Sequence, residues 1–536
     1  MKILIVDALS SGQGSRRFTR DVISAGPRTI AGILKKFAIE SKIITVEQFL
    51  KKNQTIIADH LFISAMSMDF PAVKRIIRKW NTLPQIDRTK SLKILGGPIT
   101  SAQFKIFLNL DIDIGVIGEA EKVLSELILL NIFQNTLNLK SLESIPGIIF
   151  QSSQKIIENP RPSFLSKEEL NSFYPSTKHI QDYPFYRTAR IFVECVRGCS
   201  NFFRTKIRLP GGRVCNNCGT CSTGNLAKRL RCPLSIPPGC GYCSIPHLYG
   251  PPRSRSLIHI ITEIKELMEL GVIRFILGAS DFLDYQRDEL VTPKPLTDPR
   301  NPPPNYFEIE KLLSKIADLI AGRDIYIFIE NIKASLFTEK LAVLIASYLP
   351  QTNLSIGCET GSNIHSKLLG RSSSPQEVFK AVKFAKKHNL RVHTYFIHGL
   401  PGQTLQTAIE TKRFMKKLAS EGIEKITVYK FKPLPMSAFE DVLMPPPASH
   451  NKASKIIVDT AIQINREKKE NYIGRIERAI VSELARGDNT KVIGYPLYGG
   501  PTILIDDAAD SLGKIVQVKI TKILSDKLIG GYIISK

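Results

Sequence analysis

Short apolar runs alternate with stretches of helical periodicity along the first part of the chain. KILIVDA (2–8), SKIITV (41–46), HLFISAM (60–66) and LKILGGP (92–98) read as buried parallel strands. TRDVISAGPRTIAGILKKFAIE (19–40) and PAVKRIIRKW (71–80) space their apolar residues three or four apart and read as helices. DIDIGVIGEAEKVLSELILLN continues with a strand to Ile117, a turn at Gly118–Glu119 and a helix. The pattern predicts an α/β domain over 1–150, a doubly wound parallel sheet whose ligands bind beyond the carboxyl ends of its strands. Glycines 12, 14, 96, 97 and 118 fall at the strand-to-helix turns that line such a crevice, although turns need glycine in any case. No GxGxxG follows the first strand, so a dinucleotide site is not indicated.

After a linker over 151–186 the strand–helix rhythm resumes. Helix SLIHIITEIKELMELG leads to strand VIRFILGAS, helix IEKLLSKIADLIAG to strand DIYIFIENI, and helix KLAVLIASYL to strand LSIGCETG. Helix SPQEVFKAVKFAKKHN, strand LRVHTYFIHGLPG, helix TLQTAIETKRFMKKLASEG and strand KITVYKFKPLP follow. Five or six such units over 187–440 predict a partial TIM-like (β/α) barrel rather than a closed one. Proline-rich segments (159–163, 302–306, 444–449) punctuate it. A charged stretch from Ala453 to Leu484 reads as a long helix within and beyond a helical linker at 441–475. Short strands separated by glycines then predict a small C-terminal β-barrel over 476–536.

Composition narrows the class. Across 536 residues, 43% hydrophobic and 23% charged describe a globular protein. No apolar run approaches ~20 residues, and Asp7 interrupts the opening apolar stretch, so neither a membrane span nor an export signal is expected and the chain reads as cytoplasmic. The formal charge of +25 favours polyanionic partners, RNA or DNA, although a generally basic composition gives the same surplus.

The cysteines say more. Eight of the nine lie between Cys195 and Cys243 and none precedes them, a pattern of thiolate metal ligands rather than a disulfide framework. Cys218-x2-Cys221 with Cys240-x2-Cys243 fits a zinc ribbon. Cys215-x2-Cys218-x2-Cys221 instead resembles a ferredoxin-like run, with Cys232-Pro233 available as a further ligand.

Cys240-Gly-Tyr-Cys243, followed by SIPHLYGPPRSRS, a helix and a strand ending at Gly278, resembles the cluster loop of a radical S-adenosylmethionine (radical SAM) enzyme, especially the methylthiotransferase branch. SIGCETGS, LLGRSSSPQEV and YFIHGLPGQT resemble that superfamily's later barrel strands. LGGP (95–98) and VIGEAE (116–121) resemble the cobalamin-binding domain that precedes many such barrels, and the segment from about Asn471 resembles a TRAM domain, a small RNA-binding barrel. The resemblance implies three thiolates holding a 4Fe-4S cluster whose open iron binds SAM, and a 5′-deoxyadenosyl radical that abstracts hydrogen from an unactivated carbon. It also implies SAM contacts at Tyr242, Gly278, Ser280, Glu359 and Arg371, and weaker cobalamin contacts at Gly96, Gly97 and Gly118.

Here the chain departs from the family. The usual C-x3-C-x2-C would begin at Ile236. Cys232 or Cys199 supplies the third ligand. Cys232, in the same loop, is the simpler choice; Cys199 follows the strand where family members place their first ligand. Cys215, Cys218 and Cys221 then suit a second iron–sulfur cluster, completed by Cys195, Cys199 or Cys232, or a structural zinc. Cys358 reads as a buried apolar thiol. Glu330–Asn331 share the strand-end placement of Glu359. His247, His393 and His398 read as hydrogen-bonded scaffold, and Gly399 and Gly402 as turn formers. Arg253 and Arg255 could meet a SAM carboxylate or an RNA phosphate, or solvate a loop. No DxHxxG appears, so no lower axial ligand for cobalamin is evident.

The expected activity is methylation or methylthiolation of RNA, tRNA above all, with an electron donor to reduce the cluster. Methylthiotransferases carry a sulfur-donating cluster on N-terminal cysteines, which this chain lacks. Cobalamin-dependent methylation of a protein or small molecule, and a zinc RNA-binding protein without catalysis, are the alternatives.

Overall fold

The computed structural model describes all residues except 17–19, 52–55, 103–109, 135–138, 153–154 and 536. Two units divide the chain. The first takes Met1–Tyr186, Ile191–Val193 and Ile258–Val272, and the second takes the remainder.

In the first unit, strands β1 (Lys2–Asp7), β2 (Glu40–Thr45), β3 (His60–Ser64), β4 (Lys93–Gly96), β5 (Ile114–Val116), β6 (Ile148–Ser152) and β7 (Lys155–Glu158) form one sheet in the order β2-β1-β3-β4-β5-β6-β7. The first five are parallel, with Ile5 paired to Ile43 on one side and Phe62 on the other. Ile3, Ile5, Val6, Leu61 and Ile63 are buried, as the continuous apolar runs require of strands covered on both faces. Antiparallel strands β6 and β7 extend this sheet, unlike the all-parallel sheet that the sequence pattern predicts. Helix α1 (Gly26–Lys36) is shorter than the 19–40 expected. Pro27 in its first turn, with φ set for a helix, fixes the start; Val22–Ile23 is extended; Thr19 lies outside the described residues. Arg28 on α1 is fully buried, pairs with Glu263 at 2.8 Å and donates to the Phe192 carbonyl at 2.8 Å.

The second unit is built on a half-barrel of strands β8 (Arg190–Arg197), β9 (Arg253–Ser254), β10 (Arg274–Ala279), β11 (Tyr326–Ile332), β12 (Asn353–Glu359), β13 (Arg391–His398) and β14 (Lys425–Lys430), in the order β9-β8-β10-β11-β12-β13-β14. Strands β10 to β14 pair in parallel. Burial alternates strictly along β13, with even-numbered residues packed beneath the helices and odd-numbered ones facing the lumen.

Helix α2 (Lys452–Glu470) leads to a closed barrel of β15 (Ile476–Ala485), β16 (Asp488–Pro496), β17 (Thr502–Ile505), β18 (Ile515–Ile523) and β19 (Leu528–Ser535). The charged stretch 453–484 is therefore not one helix. Gly474 takes a left-handed φ of 81° between helix and strand, and Ala479 and Val481 enter the core of the small barrel.

This barrel seats on the floor of the half-barrel. Tyr498 packs edge-on to Tyr326 at 4.9 Å, Ser482 meets Thr188 at 2.9 Å, and Arg478 pairs with Asp324 at 3.1 Å. Arg274 lies between the rings of Phe328 (6.0 Å) and Tyr495 (5.8 Å). Asp324, Tyr326 and Arg274 all stand where strands begin, at the end of the half-barrel opposite its functional mouth.

Candidate active site

The loop after β8 carries Cys199, Ser200 and Asn201 to the mouth of the half-barrel. The Asn201 backbone N–H donates to the Cys199 sulfur (3.4 Å), while its side-chain amide donates to the Cys240 sulfur (3.2 Å) and the Gly370 carbonyl (3.0 Å). One asparagine thus ties two thiols far apart in sequence. Cys243 follows in a tight turn, its N–H donating to the Cys240 carbonyl at 2.8 Å. Burial pushes the Cys199 thiol up to about 11 and the Cys243 thiol higher still, and the neighbouring thiols of Cys240 and Cys199 add to the latter. Gly241 is required between the cysteines, because a Cβ there would lie 2.3 Å from the Phe439 ring.

Behind Cys199 stands a buried charged frame. Asp284 accepts from Ser200 (2.8 Å), Lys333 (2.8 Å) and Arg287 (2.7 Å), and Lys333 also pairs with Asp281 (3.1 Å). These contacts fix the loop that carries the first thiol. Spacing alone does not reveal the frame, since Ser200 and Lys333 meet Asp284 from 84 and 49 positions away and only Arg287 is its neighbour in sequence.

Beside the cysteines, Arg371 donates to the Tyr242 hydroxyl, to Glu359 Oε1 (3.0 Å) and to the Gly357 carbonyl (2.7 Å). Its Nε is buried without a hydrogen-bond partner. Burial raises the Glu359 carboxyl above its ordinary value despite the adjacent guanidinium. The structure therefore joins Tyr242, Glu359 and Arg371 in one constellation. Gly278 is buried within β10 and Ser280 lies just beyond its end, where the Ala279 carbonyl accepts from Asn331 (2.7 Å).

Other candidates go elsewhere. Arg255 is buried against Glu194 at 2.8 Å, and Arg253 donates to the carbonyls of Tyr249 and Pro251, so both hold the chain rather than facing a ligand. His247 meets the Met436 carbonyl (3.1 Å) and His393 the Asn353 amide (2.9 Å), while His398 is buried in β13. Gly399 and Gly402 have φ of 76° and 77°. Cys358 is buried and bonded to the Thr360 carbonyl (3.1 Å).

Cys232 does not join the Asn201 group. It lines a cavity of about 540 Å³ with Cys215, Cys218 and Cys221, and Arg371 lines the same cavity. Cys195 is fully buried on β8, away from that cavity. Among the described residues no three His, Cys, Asp or Glu are drawn together closely enough to hold a single ion, so each cysteine set is a neighbourhood of thiols and not a closed ligand shell.

In the first unit, Gly96, Gly97 and Gly118 sit at the carboxyl ends of β4 and β5. Gly97 has φ 94° and a Cβ there would lie 2.6 Å from the Ala65 carbonyl, a structural demand for glycine. A Cβ on Gly96 would meet nothing within 4 Å, and Gly118 has φ 82°. His60 is buried, accepting from the Leu92 N–H (3.1 Å) and contacting the Phe133 carbonyl (3.1 Å). Such a site fits a group lying on backbone and not one ligated through this histidine.

The radical SAM superfamily pattern matches residues 231–415. The chain carries a radical SAM domain. It is 42% identical over 530 residues to the uncharacterized protein MJ1620 of Methanocaldococcus jannaschii, covering 97% of this chain and 96% of that one. It is 37% identical to the uncharacterized protein MK0932 of Methanopyrus kandleri, covering 99% and 96%. A tRNA-2-methylthio-N(6)-dimethylallyladenosine synthase of Clostridium botulinum is 26% identical over 293 residues, 54% of this chain and 61% of that protein. Among solved structures, the cobalamin-dependent radical SAM enzyme OxsB with aqua-cobalamin matches with a TM-score of 0.55 at 14% identity, over 85% of this chain and 56% of OxsB. The radical SAM methyltransferase TsrM from Kitasatospora setae, with tryptophan and a SAM analogue, matches at 0.53 and 13%, over 82% and 75%.

The radical SAM fold implies a 4Fe-4S cluster and SAM, and the residues at the mouth suit both. Cys199, Cys240 and Cys243 are neighbours on two loops, and a buried guanidinium nitrogen of Arg371 without a hydrogen-bond partner stands beside them. No helix among the described residues is long and apolar enough to cross a membrane.

Proposed function

We propose that this radical SAM enzyme methylates an unactivated carbon of RNA, tRNA foremost, with Cys199, Cys240 and Cys243 as cluster ligands and a corrinoid on the N-terminal unit. Cluster and SAM, once bound, supply hydrogen-abstracting radical chemistry, and an external electron donor reduces the cluster. Asn201 orients two of the thiols, the Ser200–Asp284–Lys333 frame holds their loop, and Arg371 with Glu359 and Tyr242 positions SAM. The corrinoid would rest near Gly96, between the turns at Gly97 and Gly118.

The observation that carries methyl transfer is the likeness to the methyltransferase TsrM over 82% of the chain, and the likeness to the cobalamin-dependent enzyme OxsB over 85% supports the corrinoid; both shares are too large to omit the N-terminal unit. RNA is supported by the terminal barrel, where exposed Tyr532 pairs across the sheet with Lys519, a stacking ring beside a cation. Charge of the whole chain agrees with it. Methylthiolation is the second reading, favoured by the partial identity to the Clostridium synthase.

Nucleoside mass spectrometry of RNA from a deletion strain tests the substrate. A nucleoside lighter by one methyl supports the proposal, one lacking methylthio supports the second reading, and unchanged RNA sets RNA aside. For the ligands, Cys199→Ala should abolish reductive SAM cleavage and Cys232→Ala should preserve it; the opposite pair of results restores Cys232 as third ligand. Tyr532→Ala with Lys519→Glu should weaken RNA binding and flatten its salt dependence.

A further inference from the structure

We infer that Cys215, Cys218, Cys221 and Cys232 form the ligand set of a second, four-iron cluster that opens on the same cavity as Arg371. All four cysteines line that cavity of about 540 Å³. Cys215 and Cys232 also pack on one apolar cluster, with Leu209, Ile236, Leu369 and Phe439. The two remaining candidates for a fourth thiol are committed elsewhere: Cys195 is fully buried on β8, and Cys199 is bonded to Asn201 beside Cys240.

The path of the chain brings the four cysteines to the wall of one cavity, from which they must close in around a cluster. Buried Arg204 donates to the carbonyls of Ile236 (2.8 Å) and Arg229 (2.8 Å), pinning the segment that carries Cys232. Arg213 donates to the Ser235 carbonyl at 2.9 Å, which brings the approach to Cys215 against the same segment. Gly219, with φ 75°, turns the chain between Cys218 and Cys221.

Iron–sulfur is preferred to zinc on two grounds. Three cysteines two residues apart, with a separate Cys-Pro, follow the ferredoxin order. A zinc ribbon needs Cys218 and Cys221 to meet Cys240 and Cys243, and Cys240 is held at the other site. Four thiolates saturate four irons, so this cluster presents no open iron to a substrate. Its place is the wall of the chamber that Arg371 shares, which gives it a bearing on substrate only if the radical SAM reading of Arg371 holds; the ligand set does not depend on that reading.

The test is anaerobic reconstitution of the full chain with iron and sulfide, read by metal analysis and EPR. Wild type should hold about eight irons, and the Cys199→Ala/Cys240→Ala/Cys243→Ala variant about four irons with four labile sulfides. Adding Cys232→Ala to that variant should remove them. SAM should perturb the EPR signal of the wild-type protein and leave that of the triple variant unchanged. Zinc without iron in the triple variant, a triple variant that holds no iron at all, or four irons retained after Cys232→Ala each overturns the inference. Should the radical SAM reading alone fail, wild type would lack SAM-responsive EPR while the triple variant kept its four irons.

Discussion

Arg371 carries the largest share of the site's geometry in one side chain. Its planar fork meets Tyr242, Glu359 and Gly357 together, and an ammonium cannot reproduce three divergent contacts. Arg371→Lys should weaken SAM binding to the reconstituted enzyme roughly 10- to 100-fold, about 1.4–2.8 kcal/mol. Equilibrium dialysis measures this, and unchanged affinity would take Arg371 out of the SAM site. A second residue reports on pH. Burial pushes the Asp7 carboxyl up to about 6 from 3.8, a shift that its hydrogen bond from Tyr183 (2.7 Å) opposes. The folded protein then binds this proton more tightly than the unfolded chain, so stability falls as pH rises from about 4 to about 6 and stays reduced above. Two units correspond to something on the order of 3 kcal/mol. Asp7→Asn should raise the melting temperature at pH 8 and change little at pH 4. An equal effect at both would mean that protonation is not the cause.

At the scale of elements, backbone and chemistry differ in how much the sequence discloses. Strands β1 to β4 are legible because each is a short branched apolar run with turn residues at its end, a local property. The helix expected over 453–484 fails because Arg475–Leu484 lacks the alternation that marks a strand and tolerates helical spacing, so only Gly474 and closure of the barrel decide. The ligand choice between Cys199 and Cys232 is non-local. Cys199 reaches Cys240 through Asn201, and Cys232 is drawn off by Arg204, contacts that no spacing encodes. The turn Cys240–Cys243 is a compact test of packing. Gly241→Ala would drive a Cβ into the Phe439 ring and displace two cysteines, so iron uptake at the SAM cluster should fall well below wild type. Pairing it with Phe439→Leu should recover part of the loss, whereas no recovery would locate the effect in the backbone alone.

For the second unit as a whole, the terminal barrel and the half-barrel stabilise one another. Tyr498→Ala removes the edge-on contact with Tyr326, and about 1–2 kcal/mol is expected from the ring pair and its buried area. Removing 476–536 uncovers Tyr326 and Phe328 at the floor, so the truncated chain should melt well below the full one and yield to protease within the half-barrel. Melting at the same temperature would show two independent parts. The seating has one more consequence. Strand β11 is seven residues long, so floor and mouth stand about 20 Å apart at ~3.3 Å per residue. Any polyanion gripped by the terminal barrel must therefore span that distance around the outside of the half-barrel to present an atom at the mouth. The protein would act as a yardstick, rejecting ligands by reach before any base is read.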